Sequence, residues 1–304
     1  TYSDNIGPFA IPGCGWCGGN HKYRERTART ARSEGYTLLA DGTRIEGDTT
    51  LWANRVTVEA ENVILDPTRP YRNVAGGEEL RDTLCRESVT YTVRNNIEVA
   101  ASHRFCNAAP VTIAIYYGMQ SMFEGETHVL TPGGAYTDWT EAAKASTFTK
   151  QEYPLFRRYV EKNRQGYQST WLLPDGLGDH ALLDGQDDIF IYAPYGKSYH
   201  KLIGNKRMEN GDKTCWRGVY TWFETPVADD ADLLCYEGSA GGHTAVFIDC
   251  KRACKRTLAL PGYLDLRHFG TAEQNSGIRI SAAGRNKLKI KADAPGSCVL
   301  LLRE

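Results

Sequence analysis

Residues 16–30 read WCGGNHKYRERTART and set Asn20, His21, Tyr23 and Arg24 directly after a Gly-Gly pair. That places an amide, an imidazole, a phenol and a guanidinium beside backbone free to approach a ligand closely. Trp16 adds a broad apolar face of the kind that packs against the C–H face of a sugar ring. A glycine turn whose polar side chains cap local backbone would read the same way. A second group lies in IAIYYGMQSMF, residues 113–123, an apolar β-branched run whose centre turns polar. With strand alternation, Tyr116, Gly118 and Gln120 share a face, and Gly118 leaves a gap there for a ring to settle. The competing reading is a core tyrosine with a satisfied hydroxyl.

Three further stretches carry candidate ligands. GYQSTWLLPDGLGDHALLDGQDD, residues 166–188, spreads Trp171, Asp179, His180, Asp187 and Asp188 among glycines and prolines, as a loop rimming a groove would. YGKSYHKLIGNKR, residues 195–207, groups Tyr199, His200, Lys201 and Arg207 into a local positive surface. Such a surface would attract carboxylated or sulfated sugars, or simply guard an edge strand. CWRGVYTWFETP alternates so that Trp216, Gly218, Tyr220, Trp222 and Glu224 share a face, an aromatic strip ending in a carboxylate.

These groups must be positioned by strands. ADG at residues 40–42 is a hairpin signal between apolar runs. Val89–Val93 and Ile97–Ala101 alternate on either side of Arg94-Asn95-Asn96, and the last residues offer short strands separated by Gly and Pro. Helix signals are few: DWTEAAKAS with Asp138 as a cap, and YPLFRRYVEKN, which fits a helix or a pair of strands equally. No repeat and no Ser/Gly/Pro-rich linker divides the chain. The expectation is an all-β protein, a large antiparallel β-sandwich over residues 1–250 with few short helices. Residues 251–304 are expected to form a C-terminal β segment packed on the same domain.

VTYTVRNNIEVAASHRFCNAAPVTIAIYYGMQSMF, roughly residues 88–123, resembles the central strands of galactose-mutarotase-like β-super-sandwich proteins: strand, short turn, strand, Asn-x-x-Pro, strand. That family includes sugar epimerases, and related sandwiches occur in polysaccharide lyases and glycosidases. The resemblance implies a super-sandwich fold and a sugar-facing surface at Tyr116, Tyr117 and Gln120. Where the epimerase-like pattern has a histidine this chain reads Tyr-Tyr-Gly-Met-Gln, so the mutarotase reaction does not carry over.

Formal net charge is −1, which excludes binding nucleic acid by bulk electrostatics, and no apolar run is long enough for a membrane helix. Nine cysteines leave at least one outside any intramolecular disulfide. Cys14-x-x-Cys17 and Cys250-x-x-x-Cys254 are the close pairs, as thiols, disulfides or metal ligands. No metal or other cofactor is expected; the alternatives these residues would allow are a tetrahedral zinc joining the two cysteine pairs and a calcium at Asp229, Asp230, Asp232 and Glu237. Walker, Gly-x-Gly-x-x-Gly and Gly-x-Ser-x-Gly signatures are absent.

The leading expectation is therefore a polysaccharide-degrading enzyme acting by elimination on an acidic glycan. Arg24 or Arg29 with Asn20 would neutralise the carboxylate, His21 would take the proton, and Tyr116 or Tyr199 would protonate the leaving oxygen. Trp16, Tyr23, Gln120, Trp171, His200, Lys201 and Trp222 would hold the substrate. Hydrolysis would instead need a pair of flanking carboxylates. The alternative is a non-catalytic glycan-binding domain of a larger cell-surface or phage-tail protein. The two differ in whether His21, Tyr116 and Tyr199 converge. A secreted or cell-surface location follows from the glycan reading, with a cytoplasmic one open, and nothing in the sequence fixes the oligomeric state.

Overall fold

Asp41 and Gly42 both take positive φ, 49° and 87°, as a two-residue hairpin turn requires. They reverse the chain between strands Ala31–Ala40 and Thr43–Arg44, and the Asp41 carboxylate accepts backbone N–H bonds from Asn54 and Arg55. The computed structural model describes residues 2–25, 28–75, 77–122, 127–130, 134–138, 147–148, 158–173, 189–192, 197–274 and 277–302. Its regular structure is almost entirely strands joined in antiparallel sheets, and the one helical turn among these residues is Tyr23–Glu25. The all-β sandwich expected from the sequence is the fold that forms.

The chain divides into two compact units. One comprises Thr1–Met122, Leu172–Phe190 and Lys197–Gly218; the other comprises Phe123–Trp171, Ile191–Gly196 and Val219–Glu304. Residue 250 is not a boundary between them: strand His243–Cys250 pairs along its length with Gly296–Leu302 inside the second unit.

In the first unit, strands Lys197–Met208, Val111–Met122, Tyr2–Ile11 and Gly15–Cys17 lie side by side in that order. A second sheet runs Ile97–Phe105, Thr83–Val93, Val56–Leu65, Ala31–Ala40 and Thr43–Arg44. The Arg94-Asn95-Asn96 turn joins the first two of these strands where the sequence places it. Inward-facing Phe9, Phe105 and Tyr116 pack ring on ring between the sheets, with Phe9 4.6 Å from Tyr116 and 5.7 Å from Phe105.

In the second unit, YPLFRRYVEKN resolves in favour of strands: Arg158–Asn163 and Gly166–Leu172 form a hairpin. Asp138 ends a short strand, Tyr136–Asp138, and the rest of the expected helix lies outside the described residues. A five-stranded sheet built on Leu233–Ala240, His243–Cys250 and Gly296–Leu302 packs against a three-stranded sheet, Cys254–Ala259, Lys287–Ala292 and Ile278–Gly284. Their shared core holds Val246, Ile248, Leu288, Ile290 and Leu300, each almost closed to solvent. Arg158, Asp249 and Tyr236 form a buried polar knot in this unit. Arg158 gives Asp249 two hydrogen bonds of 2.7 Å, and Tyr236 accepts one from Arg158 while donating to Ser169.

Candidate functional site

Strand Val111–Met122 does not keep the alternation its sequence implies. Its register against Lys197–Met208 shifts between Tyr116 and Tyr117 and again between Gly118 and Ser121, and Met119 takes a left-handed φ of 50°. An irregularity of this kind re-aims every side chain beyond it. Residues 118–121 are all buried, and Tyr117, not Tyr116, emerges on the outer face.

Tyr116 is a core residue, contrary to the expectation that it lines a cleft. It is fully closed to solvent, stacked on Phe9 and edge-on to His103, and its hydroxyl accepts a 2.8 Å hydrogen bond from Trp216 Nε1. Burial holds its phenol well above the usual range, which removes it as a proton donor to a ligand. The gap at Gly118 is likewise filled from within: a Cβ there would sit 2.5 Å from Leu202 Cδ1 and 3.2 Å from Trp216 Cε2. Gln120 and His200 are buried with it.

The outer face of the same sheet gathers other candidates. Tyr117 stacks on Tyr199 at a centroid distance of 4.5 Å and on Trp16 at 5.9 Å, and Trp16 lies 6.3 Å from the His21 ring. Trp16 reaches Tyr117 because strand Tyr2–Ile11 inserts between their strands, with Ala10 opposite both Trp16 and Ile115. Lys201 is the cross-strand partner of Tyr117 and so shares its face. Exposure falls along this run, from 36% at Trp16 to 8% at Tyr199, so the accessible ring surface is at the Trp16 end. His21 is fixed by its backbone: its N–H donates to Gly18 O, and its carbonyl accepts from the Thr30 hydroxyl at 2.6 Å.

The other residues of residues 16–30 part company. Tyr23 turns into a satellite core with Val63, Leu65 and Leu80, and Arg24, at φ 48°, lays its guanidinium over the Tyr23 and Tyr71 rings. Asn20 instead lines a hollow of about 540 Å³ together with Lys22, Arg29, Arg32, Asn62 and Glu87. The loop at residues 18–22 thus touches the ring run through His21 and the hollow through Asn20 and Lys22.

Glu87 and His103 were not singled out from the sequence. They form a 2.9 Å hydrogen-bonded pair, almost fully buried, with Asn62 donating to the other Glu87 oxygen at 3.0 Å. Ser33, Asn62, Glu87 and His103 are direct neighbours across successive strands, a polar row on an otherwise apolar face. The signal was available: in VAASHRF the inward phase Val99, Ala101, His103, Phe105 contains an imidazole. In LCRESV, Glu87 shares the inward phase of Cys85 and Val89. Burial alone would raise the Glu87 carboxyl, but the His103 hydrogen bond and charge, with Asn62, bring it below the usual range. It is held as an anion, suited to accept hydrogen bonds from hydroxyl or ammonium donors rather than to give up a proton.

Trp171, Trp222 and the acidic turn belong to the second unit. Trp171 is buried edge-on to Phe247 at 5.5 Å, and half-buried Trp222 stacks on fully buried Tyr220. Asp179, His180, Asp187 and Asp188 lie outside the described residues. The acidic turn weighed for calcium is occupied by cations: Asp229 binds Lys162 and Lys251, Asp230 binds Arg256, and Asp232 binds Arg252 and Arg256. Glu237 accepts from the Tyr263 hydroxyl. Among the described residues no cluster of His, Cys, Asp or Glu is arranged to hold a metal, and the cysteines are free thiols. No protein-family model matches this chain, and no curated protein is similar to it in sequence.

Proposed function

We propose that the chain binds carbohydrate, with a sugar ring docking on the exposed end of the Trp16–Tyr117–Tyr199 run. The observation that supports this reading is the run itself. Three aromatic side chains from three strands, with His21 at one end and Lys201 beside its centre, line up on one sheet face, and the run ends in Trp16, which stays open to solvent. Aromatic rings take the apolar C–H face of a sugar, while imidazole and ammonium reach its hydroxyls. The adjoining hollow, with Lys22, Arg29 and Arg32 at its rim, favours a sugar carrying a carboxylate or sulfate.

Binding without cleavage is the better-supported form of this reading. Elimination needs His21 and an accessible phenol around one pocket; the Tyr116 hydroxyl is closed off against Trp216, and Tyr199 is buried at the end of the run away from His21. The test is calorimetric titration with a panel of neutral and acidic oligosaccharides, each mixture then weighed by mass spectrometry. Binding with intact ligands is expected, weakened about tenfold by Trp16→Ala for a stacking loss of roughly 1.5 kcal/mol. Unsaturated or hydrated fragments would show a depolymerase instead. Affinity that Trp16→Ala leaves untouched would remove the ring run from the site.

A further inference from the structure

The three-stranded sheet of the second unit carries opposite characters on its two faces. Along Lys287–Ala292 the residues alternate exposed and buried, Lys-Leu-Lys-Ile-Lys-Ala, and Leu288, Ile290 and Ala292 enter the core. The other face is cationic. Lys255 stands opposite Lys291, which stands opposite Arg279 on the far strand. Lys289 lies between Thr257 and Ser281, and Lys287 follows opposite Ala259. Like charges directly opposite one another destabilise a sheet, so this arrangement works against folding. A general basic composition does not account for it, because the formal net charge of the chain is −1.

Neutralisation from within the protein is slight. Asp293 accepts from Arg279 at 2.7 Å and lies 3.7 Å from Lys291. Among the described residues no carboxylate pairs with Lys255, Lys287 or Lys289. The neighbouring cations Lys251, Arg252 and Arg256 are, by contrast, tied to Asp229, Asp230 and Asp232. The face is also hollowed, enclosing about 430 Å³ along Lys255, Thr257, Arg279, Ser281, Lys289 and Lys291.

We infer that this face is a binding site for a linear anionic polysaccharide, sulfated or carboxylated. The lysines are spaced along the strand by two residues, roughly 7 Å, and a flexible polyanion can follow that line. Thr257 and Ser281 place hydroxyls between the charges, where sugar hydroxyls can meet them. None of the strands Cys254–Ala259, Ile278–Gly284 and Lys287–Ala292 contains an aromatic residue, so the face has no ring on which a nucleobase could stack. Nor does it present a large apolar side chain to enter a membrane. Its residues belong to the second unit and those of the ring run to the first, so neither site depends on the other.

Dextran sulfate, polygalacturonate and uncharged dextran are the probes, titrated into the whole chain at several salt concentrations. Lys255, Lys287, Lys289 and Lys291 acting together give a log–log salt slope of about −3, so affinity for dextran sulfate falls about 50-fold from 50 to 200 mM salt. Lys287→Ser, Lys289→Ser and Lys291→Ser combined should bring that slope to about −1, while the matching Lys→Arg triple keeps it. Amine labelling of the unaltered protein should show Lys287 and Lys289 shielded by dextran sulfate and not by dextran. Full labelling of both lysines in the complex, or an unchanged salt slope in a folded serine triple, would overturn the assignment. So would tighter binding to a single-stranded oligonucleotide or to phosphatidylserine vesicles than to either acidic polysaccharide.

Discussion

Arg158→Met should be among the most damaging single changes in the second unit, and the geometry gives the size of the effect. Arg158 and Asp249 have side chains only 1% and 5% exposed, and two parallel 2.7 Å bonds join them. Methionine fills much of the arginine stem but leaves the Asp249 carboxylate buried with the Ser297 hydroxyl as its remaining close donor. Breaking one half of a buried ion pair costs about 3–5 kcal/mol, because the surviving charge keeps its desolvation penalty. At about 2–4 °C per kcal/mol, thermal unfolding should shift down by roughly 6–20 °C. Replacing both partners, Arg158→Met with Asp249→Leu, removes the stranded charge and should return stability to within about 1 kcal/mol of the parent. Calorimetric scans of all three proteins between pH 4 and 7 read this directly. A loss below about 1 kcal/mol in the single variant, or a double variant no better than the single, would refute the reasoning.

Other perturbations test the first unit. Because the Glu87 carboxyl lies below its ordinary value in the folded state, its contribution is full above pH 4.5 and is lost as pH falls through the folded value. Glu87→Gln should therefore destabilise at pH 7 and flatten the acid limb of a melting-temperature profile; parallel limbs would show that the carboxylate is not the titrating group. Tyr116→Phe leaves the Trp216 indole N–H buried without its acceptor and should cost about 1–3 kcal/mol in urea unfolding, with oligosaccharide affinity unchanged. Reduced affinity in a variant that melts normally would return Tyr116 to the site. Gly218→Ala drives a methyl into Met119 Sδ and should cost about 1–3 kcal/mol, relieved by adding Met119→Ala. If the second change worsens the first, the clash lies elsewhere.

Much of this architecture is legible in the sequence because its causes are local. The Asp41-Gly42 turn, the Arg94-Asn95-Asn96 connection and the alternation of KLKIKA each depend on residues a few positions apart. What fails is the choice of face: Tyr116 and Gly118 share one, as alternation implies, but Trp216 and Leu202 close that face from within. No pattern of types along the strand announces which of its faces is core. The ring run is illegible for another reason, since Trp16 and Tyr117 meet only through pairings of strands about a hundred residues apart in the chain. Glu87 and His103 were legible in principle, as polar residues in the inward phase, and are recognisable once the hairpin register is known.

The lysine face has a consequence for colloidal behaviour. Cys254–Ala259 and Ile278–Gly284 are the outermost strands of their sheet, and each leaves one side of its backbone ready to receive another strand. Lys255 sits on one of those margins without a carboxylate partner among the described residues, where its charge would set up repulsion against pairing with a second copy. A polyanion that satisfies the face would silence that repulsion and tether several copies along one chain. Turbidity should then peak where polymer and protein charges balance and clear again with polymer in excess.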